Sequence, residues 1–90
     1  MVYVSVRQTV EDFKVWRPTF DGDAARRKAG GGTGNNVVYR DVENPNLVTV
    51  ILEWDNLANL EKFLHDPALA EAMKKAGAVG APAITIMNRA

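Results

Sequence analysis

The sequence contains no cysteine, a single histidine, His65, and a single serine, Ser5. Without cysteine there is no disulfide framework and no thiolate chemistry. With one histidine, a metal site would have to be built from carboxylates alone, and no Ser-His-Asp arrangement can be argued. Charge of one sign is also missing: basic and acidic residues balance at 11 each, so no net field favours nucleic acid or an anionic membrane. No apolar run approaches the ~20 residues that span a bilayer, and Arg7 interrupts any basic-then-apolar signal pattern at the N-terminus. The expectation is a cytoplasmic chain forming one domain over residues 1–90, with no metal and no cofactor.

What is present is organised around residues 46–77. Leu47-Val48-Thr49-Val50-Ile51-Leu52-Glu53-Trp54 is rich in β-branched residues and reads as a buried strand. Asp55-Asn56 favours a turn and a helix cap, and Leu57, Leu60, Phe63 and Leu64 then recur at helical spacing. Asp66-Pro67 restarts the helix, with Asp66 as N-cap and Pro67 at its first position. Leu69, Ala72, Met73 and Ala76 form the stripe of this third helix, and Gly77 ends it.

Upstream, Val2 to Gln8 reads as the first strand, with Val2, Val4 and Val6 on one face and Tyr3, Ser5 and Arg7 on the other. Thr9 is expected to open the first helix, with Asp12 three residues on. Val10, Phe13, Trp16 or Arg17, Phe20 and Ala24 give that helix an apolar face, and Pro18 with Gly22 predicts a kink or split near Arg17. Arg26-Arg27-Lys28 reads as a solvated helix end. The segment Gly30-Gly31-Gly32-Thr33-Gly34 lacks the Lys-Ser/Thr ending and the following helix of a phosphate loop, and reads as a flexible connector with a left-handed glycine at Gly30 or Gly31. A second strand is expected from Asn35 or Asn36 to Val42, turning at Asn44-Pro45-Asn46 into the long apolar strand. A last strand is expected from Ala83 to Met87, with Pro82 at its start.

Strand, helix, strand, strand, helix pair, strand is the order of an α+β, ferredoxin-like βαββαβ fold. Its four-stranded antiparallel sheet has strands one and three in the middle. The third strand is apolar on both faces, while helices cover only one. A second copy of the chain is the expected cover for the other, giving a two-fold homodimer.

The order of elements, the doubly apolar strand ending Leu52-Glu53-Trp54-Asp55 and the run Phe63-Leu64-His65-Asp66-Pro67-Ala68-Leu69-Ala70-Glu71-Ala72-Met73 resemble the dimeric α+β barrel superfamily. Within it the nearest group is the antibiotic-biosynthesis-monooxygenase-like proteins. That resemblance implies a sheet-to-sheet dimer. It also implies either a cofactor-independent monooxygenase-like enzyme for a small aromatic or polyketide-type molecule, or a non-catalytic dimeric binding module. The haem-degrading branch places a tryptophan and a histidine where this sequence has Phe63 and Met73, and an asparagine in a first strand that has none here. Haem ligation is therefore not expected.

The candidate site combines these readings. Trp16 and Phe20 are expected to wall a pocket between the kinked helix and the sheet. For the Tyr3, Ser5 and Arg7 face two readings stand: either Arg7 lies beyond the barrel rim and is solvated, or the face borders the pocket and supplies its polar end, with Arg7 facing an enolate or carboxylate oxygen. His65 is either a solvated helix-end residue or the proton carrier at the same mouth.

Overall fold

The computed structural model describes all residues from Met1 to Ala90. The elements run β1 (Val2–Val10), α1 (Phe13–Gly22), α2 (Ala24–Ala29), β2 (Gly32–Arg40), β3 (Leu47–Trp54), α3 (Leu57–Leu64), α4 (Pro67–Lys75) and β4 (Ala78–Asn88). The strands form one antiparallel sheet in the order β2-β3-β1-β4. This is the ferredoxin-like topology, and the two central strands are the two richest in valine, isoleucine and leucine. No helix is long and apolar enough to cross a membrane.

Register explains where the core sits. Val4 pairs with Leu52, Val6 with Val50, Gln8 with Val48 and Val2 with Trp54, so these residues share one face. All the helices lie on that face. Val4, Val48, Val50, Leu52 and Trp54 are buried against Trp16, Leu60 and Phe63. Burying each such side chain contributes about 1.5–3 kcal/mol. On the other face Leu47, Thr49, Ile51 and Glu53 are only half-buried, and Val37 and Tyr39 beside them are 46% and 56% exposed.

The helix starts follow their caps. Asn56 accepts from the Asn59 N–H at 2.8 Å, and Asp66 accepts from the Ala68 N–H at 2.9 Å, with Pro67 at the first turn. The first helix begins later than its sequence pattern predicts. Thr9 is taken up by the sheet, opposite Leu47 and Val79. Asp12 is the cap instead, accepting from the Lys14 N–H at 2.9 Å.

Pro18 does not break α1, contrary to expectation. Lys14 and Pro18 are both exposed, so the carbonyl that Pro18 leaves without a donor faces water. The interruption comes at Asp23, after Gly22, where one helix ends and the next begins.

Both edge strands are longer than the sequence indicates, and each carries an irregularity. On β2, pairing jumps from Gly32↔Trp54 to Asn36↔Leu52, leaving residues 33–35 opposite Glu53. On β4, pairing jumps from Arg7↔Ala83 to Thr9↔Val79, leaving residues 80–82 opposite Gln8. Pro82 thus lies inside an edge strand but within its bulge.

The triglycine is a packing surface rather than a flexible connector. Gly31 has φ +116°, and a Cβ there would meet Asp55 Oδ1 at 2.5 Å and Trp54 Nε1 at 2.9 Å. The indole N–H donates to the Gly30 carbonyl at 3.0 Å. The α2–β2 corner closes onto the Trp54 ring because nothing but backbone fits there.

Candidate functional site

A cavity of ≈ 290 Å³ lies between the helices and the covered face of the sheet. Its floor is Val4, Val6, Val50 and Leu52, and its far wall is Leu69 and Met73 of α4. Trp16 and Phe20 sit one turn apart on α1. Their rings stack at 4.9 Å with an 18° interplanar angle, making a flat apolar wall. Ile84 of β4 also borders the cavity and is 43% exposed, which marks the side on which it opens.

The most buried polar side chains at this cavity come from α2 and β1, while Thr19 of α1, Asp23 and Lys75 of α4 also line it. Arg27 is 8% exposed; its Nη1 donates to the Phe20 carbonyl at 2.8 Å, and its guanidinium lies 3.9 Å over the Phe20 ring. Burial pushes its pKa down, opposed by the carboxylates of Asp23 and Asp21. Arg26 is held by Asp23 through Nε and Nη2, and its guanidinium lies 5.0 Å over the Phe63 ring. The hydrogen bond to Asp23 pushes the Arg26 pKa up. Gln8 is 6% exposed. Both arginines remain charged, so one side of an otherwise apolar cavity is cationic.

Of the residues the sequence singles out, Trp16 and Phe20 line the cavity. Tyr3, Ser5 and Arg7 do not; they lie on the opposite face, paired with Glu53, Ile51 and Thr49. Strand alternation is the reason, since the helices cover the face that carries Val4 and Val6. Arg7 is exposed, and the Tyr3 hydroxyl donates to Glu53 Oε2 at 3.0 Å. Glu53 also accepts from Thr33 Oγ1 at 2.8 Å and Asn35 Nδ2 at 3.1 Å, and these bonds with the one from Tyr3 hold its pKa down. The shared bond raises the pKa of Tyr3. His65 is exposed at the end of α3, its Nδ1 2.8 Å from the Glu61 carbonyl oxygen. It does not reach the cavity mouth.

Gln8, Asp23, Arg26 and Arg27 are the cavity residues that sequence reasoning passes over. Gln8 carries a signal, because its position in the strand puts it on the face of Val4 and Val6. Arg26 and Arg27 read as a solvated helix end; the break at Asp23 turns the short α2 inward, so Arg27 is buried. Nowhere do three His, Cys, Asp or Glu side chains gather in a way that could hold a metal ion.

No protein-family model and no curated protein sequence matches the chain. Its shape does have counterparts among solved structures. A putative antibiotic biosynthesis monooxygenase from Bordetella bronchiseptica superposes with a TM-score of 0.79 at 13% identity, over 99% of this chain and 96% of that one. Another from Caulobacter crescentus gives 0.75 at 17% identity, over 99% and 89%. A mutant of SnoaB, a cofactor-independent oxygenase from Streptomyces nogalater, gives 0.74 at 16% identity, over 98% and 91%. The chain has a ferredoxin-like fold, which it shares with these solved antibiotic biosynthesis monooxygenases.

Proposed function

We propose that the chain binds a small, flat, largely apolar molecule in the cavity beside Trp16 and Phe20, and oxygenates it without a cofactor. The observation that carries this reading is the pairing of a stacked aromatic wall with the guanidinium groups of Arg26 and Arg27 in one cavity. An enolisable or phenolic substrate is favoured there, because a nearby cation lowers the pKa of an acidic ligand and stabilises its anion. An electron-rich anion is also what an oxygenase lacking a cofactor requires, since the substrate must then supply every electron. The balanced outcome is oxidation of an activated methylene by one dioxygen to a carbonyl and one water. Four electrons leave the carbon, one oxygen atom becomes the carbonyl oxygen, and the other takes both methylene hydrogens as water.

Binding and turnover are separable. Trp16 fluorescence should change saturably on titration with polycyclic phenols or enolisable aromatic ketones. Oxygen uptake at an electrode should follow only if the bound anion is oxidised. One observation favours the non-catalytic alternative: Asp23 is tied to Arg26 and His65 lies outside, which leaves Lys75, exposed at the end of α4, as the one untied ionisable side chain of the lining. Saturable binding with no oxygen uptake across the series would select that alternative. No saturable change would remove the cavity from both readings.

A two-fold homodimer belongs to the same proposal. The uncovered face presents Leu47, Ile51, Val37 and Tyr39 around a polar margin, with Arg7 towards one end of the central strands and Glu53 towards the other. An antiparallel second copy stacked on it sets Arg7 of each chain near Glu53 of the other, and no other element of this chain covers the patch. Light scattering at micromolar concentration should give twice the chain mass; a monomeric mass overturns the dimer. A cytoplasmic setting is the natural companion of this reading, since the chain has no cysteine for an oxidising compartment to join.

A further inference from the structure

The polar side chains that line the cavity are, with one exception, engaged with the chain itself. Gln8 Nε2 donates to the carbonyls of Val79 and Gly80, and Thr19 Oγ1 to the Val15 carbonyl. Arg26 holds Asp23, and Arg27 donates to the Phe20 carbonyl. Lys75 is the exception. It lines the cavity, is exposed, and pairs with no carboxylate; the two ion pairs of the chain are Arg17 with Asp21 and Arg26 with Asp23. Glu71, one turn back on the same helix, is not joined to it.

The position of Lys75 on α4 accounts for this. Ala72, Met73 and Ala76 turn towards the cavity along with Leu69. At 3.6 residues per turn Lys75 falls at the margin of that stripe, one turn on from Ala72. Lys74 falls on the far side of the helix, exposed and away from the cavity. A residue that both lines a cavity and is exposed stands at its rim. The chain then enters β4 at Ala78, the strand whose exposed Ile84 marks the open side.

Size and hydration say what such a rim can hold. A cavity of ≈ 290 Å³, at about 30 Å³ for each water-sized group, takes roughly ten heavy atoms. That is a body of two fused rings, so a polar head attached to it stays at the rim. A carboxylate there keeps much of its hydration, which it would have to shed inside. The charge of the lining has the complementary sign, with Arg26, Arg27 and Lys75 against Asp23 alone.

We infer that the cavity takes a flat aromatic acid ring-first, along Trp16 and Phe20, and that Lys75 holds its carboxylate at the rim. Lys75 is then the residue that selects acids over neutral and cationic ligands of the same shape. This rests on the cavity reading above and adds where the acid group lies; it does not depend on turnover.

Calorimetric titration at low salt and pH 7 with three probes of one shape tests it: naphthalene-2-carboxylate, naphthalene-2-carboxamide and 2-(aminomethyl)naphthalene. The acid should bind about fivefold tighter than the amide, the worth of a good exposed ion pair, and the amine weaker than both. In about 0.5 M salt that advantage should shrink. Lys75→Met should bring the acid to within about twofold of the amide and leave the amide unchanged, and Lys75→Glu should make the amine the tightest of the three. Lys74→Met removes the same charge from the same turn and should change none of them. Both lysines are exposed, so these variants fold. Equal binding of acid and amide to the unaltered protein overturns the rim site while the apolar cavity stands. An equal loss in Lys74→Met and Lys75→Met overturns it as well, since the helix end would then act only through its summed charge. Binding by none of the three probes removes the cavity reading and this inference with it.

Discussion

The two edge strands solve one problem with different side chains. Each bulges by a few residues opposite a single residue of a central strand, and in each case that central residue ties the bulge down. Gln8 donates to the carbonyls of Val79 and Gly80 in the β4 bulge. Glu53 accepts from Thr33 and Asn35 in the β2 bulge. Gln8 faces the helices and is 6% exposed, whereas Glu53 faces the uncovered side and keeps contact with water. The difference follows from burial. A carboxylate on the covered face would have to shed its hydration, whereas a neutral amide costs far less to bury and brings donors to the carbonyls. On the covered face the residue that ties the bulge is neutral; on the open face it is charged, and the charge is part of its hydrogen bonding.

That contrast breaks most visibly at two neighbours of opposite parity. Leu52→Asp places a carboxylate in the core and should cost about 5 kcal/mol, the low end of the whole stability of a small domain. Far-UV circular dichroism should find it unfolded or nearly so. Next in size is Gln8→Glu, which sets a carboxylate against the Val79 and Gly80 carbonyls and should cost about 3 kcal/mol in urea denaturation at pH 8. Its folded pKa should be raised. The penalty should therefore shrink at pH 5, where the protonated acid can donate to one carbonyl, and grow as pH rises through the folded value. A pH-independent loss would contradict the role given to burial.

Ile51→Asp is the open-face counterpart of Leu52→Asp. It should leave the fold within about 1 kcal/mol, as surface substitutions do, while light scattering shows the mass of a single chain. If it unfolds like Leu52→Asp, the two faces do not differ in the way described. The smallest effect belongs to Glu53→Gln. Thr33, Asn35 and Tyr3 hold the Glu53 pKa below its ordinary value, so its stabilisation is present above the unfolded carboxylate range and lost as pH falls through the folded value. In urea denaturation the variant should be slightly less stable than the parent at pH 7, and the difference should close between pH 5 and pH 3.

Sequence and structure agree where the signal is local. The β-branched run fixes β3, and Asn56 and Asp66 with Pro67 fix the starts of α3 and α4, because a cap acts within its own turn. They part company where a distant group decides. The extensions of β2 and β4 past their glycines depend on Glu53 and Gln8, many residues away in sequence. The length of α1 depends on Pro18 facing water. Trp16 and Phe20 are legible as a cavity wall from their spacing. Arg7 follows the alternation that sets it opposite Val6 and takes the solvated of its two expected places, because the cavity lies on the Val6 side, and Arg27 escapes notice because a run of three cations looks solvated.

The paired bulges also bear on how this protein avoids unwanted polymerisation. A sheet of four strands offers two free rims, and a flat rim templates another chain. Here both rims are buckled at a glycine in the left-handed region, Gly34 with φ +93° and Gly80 with φ +72°, and one rim also carries Pro82, which has no N–H to offer. The central strands, which no stranger can reach, run in unbroken register. Growth of the sheet sideways into a fibril is thereby discouraged, while stacking through its open face is left free.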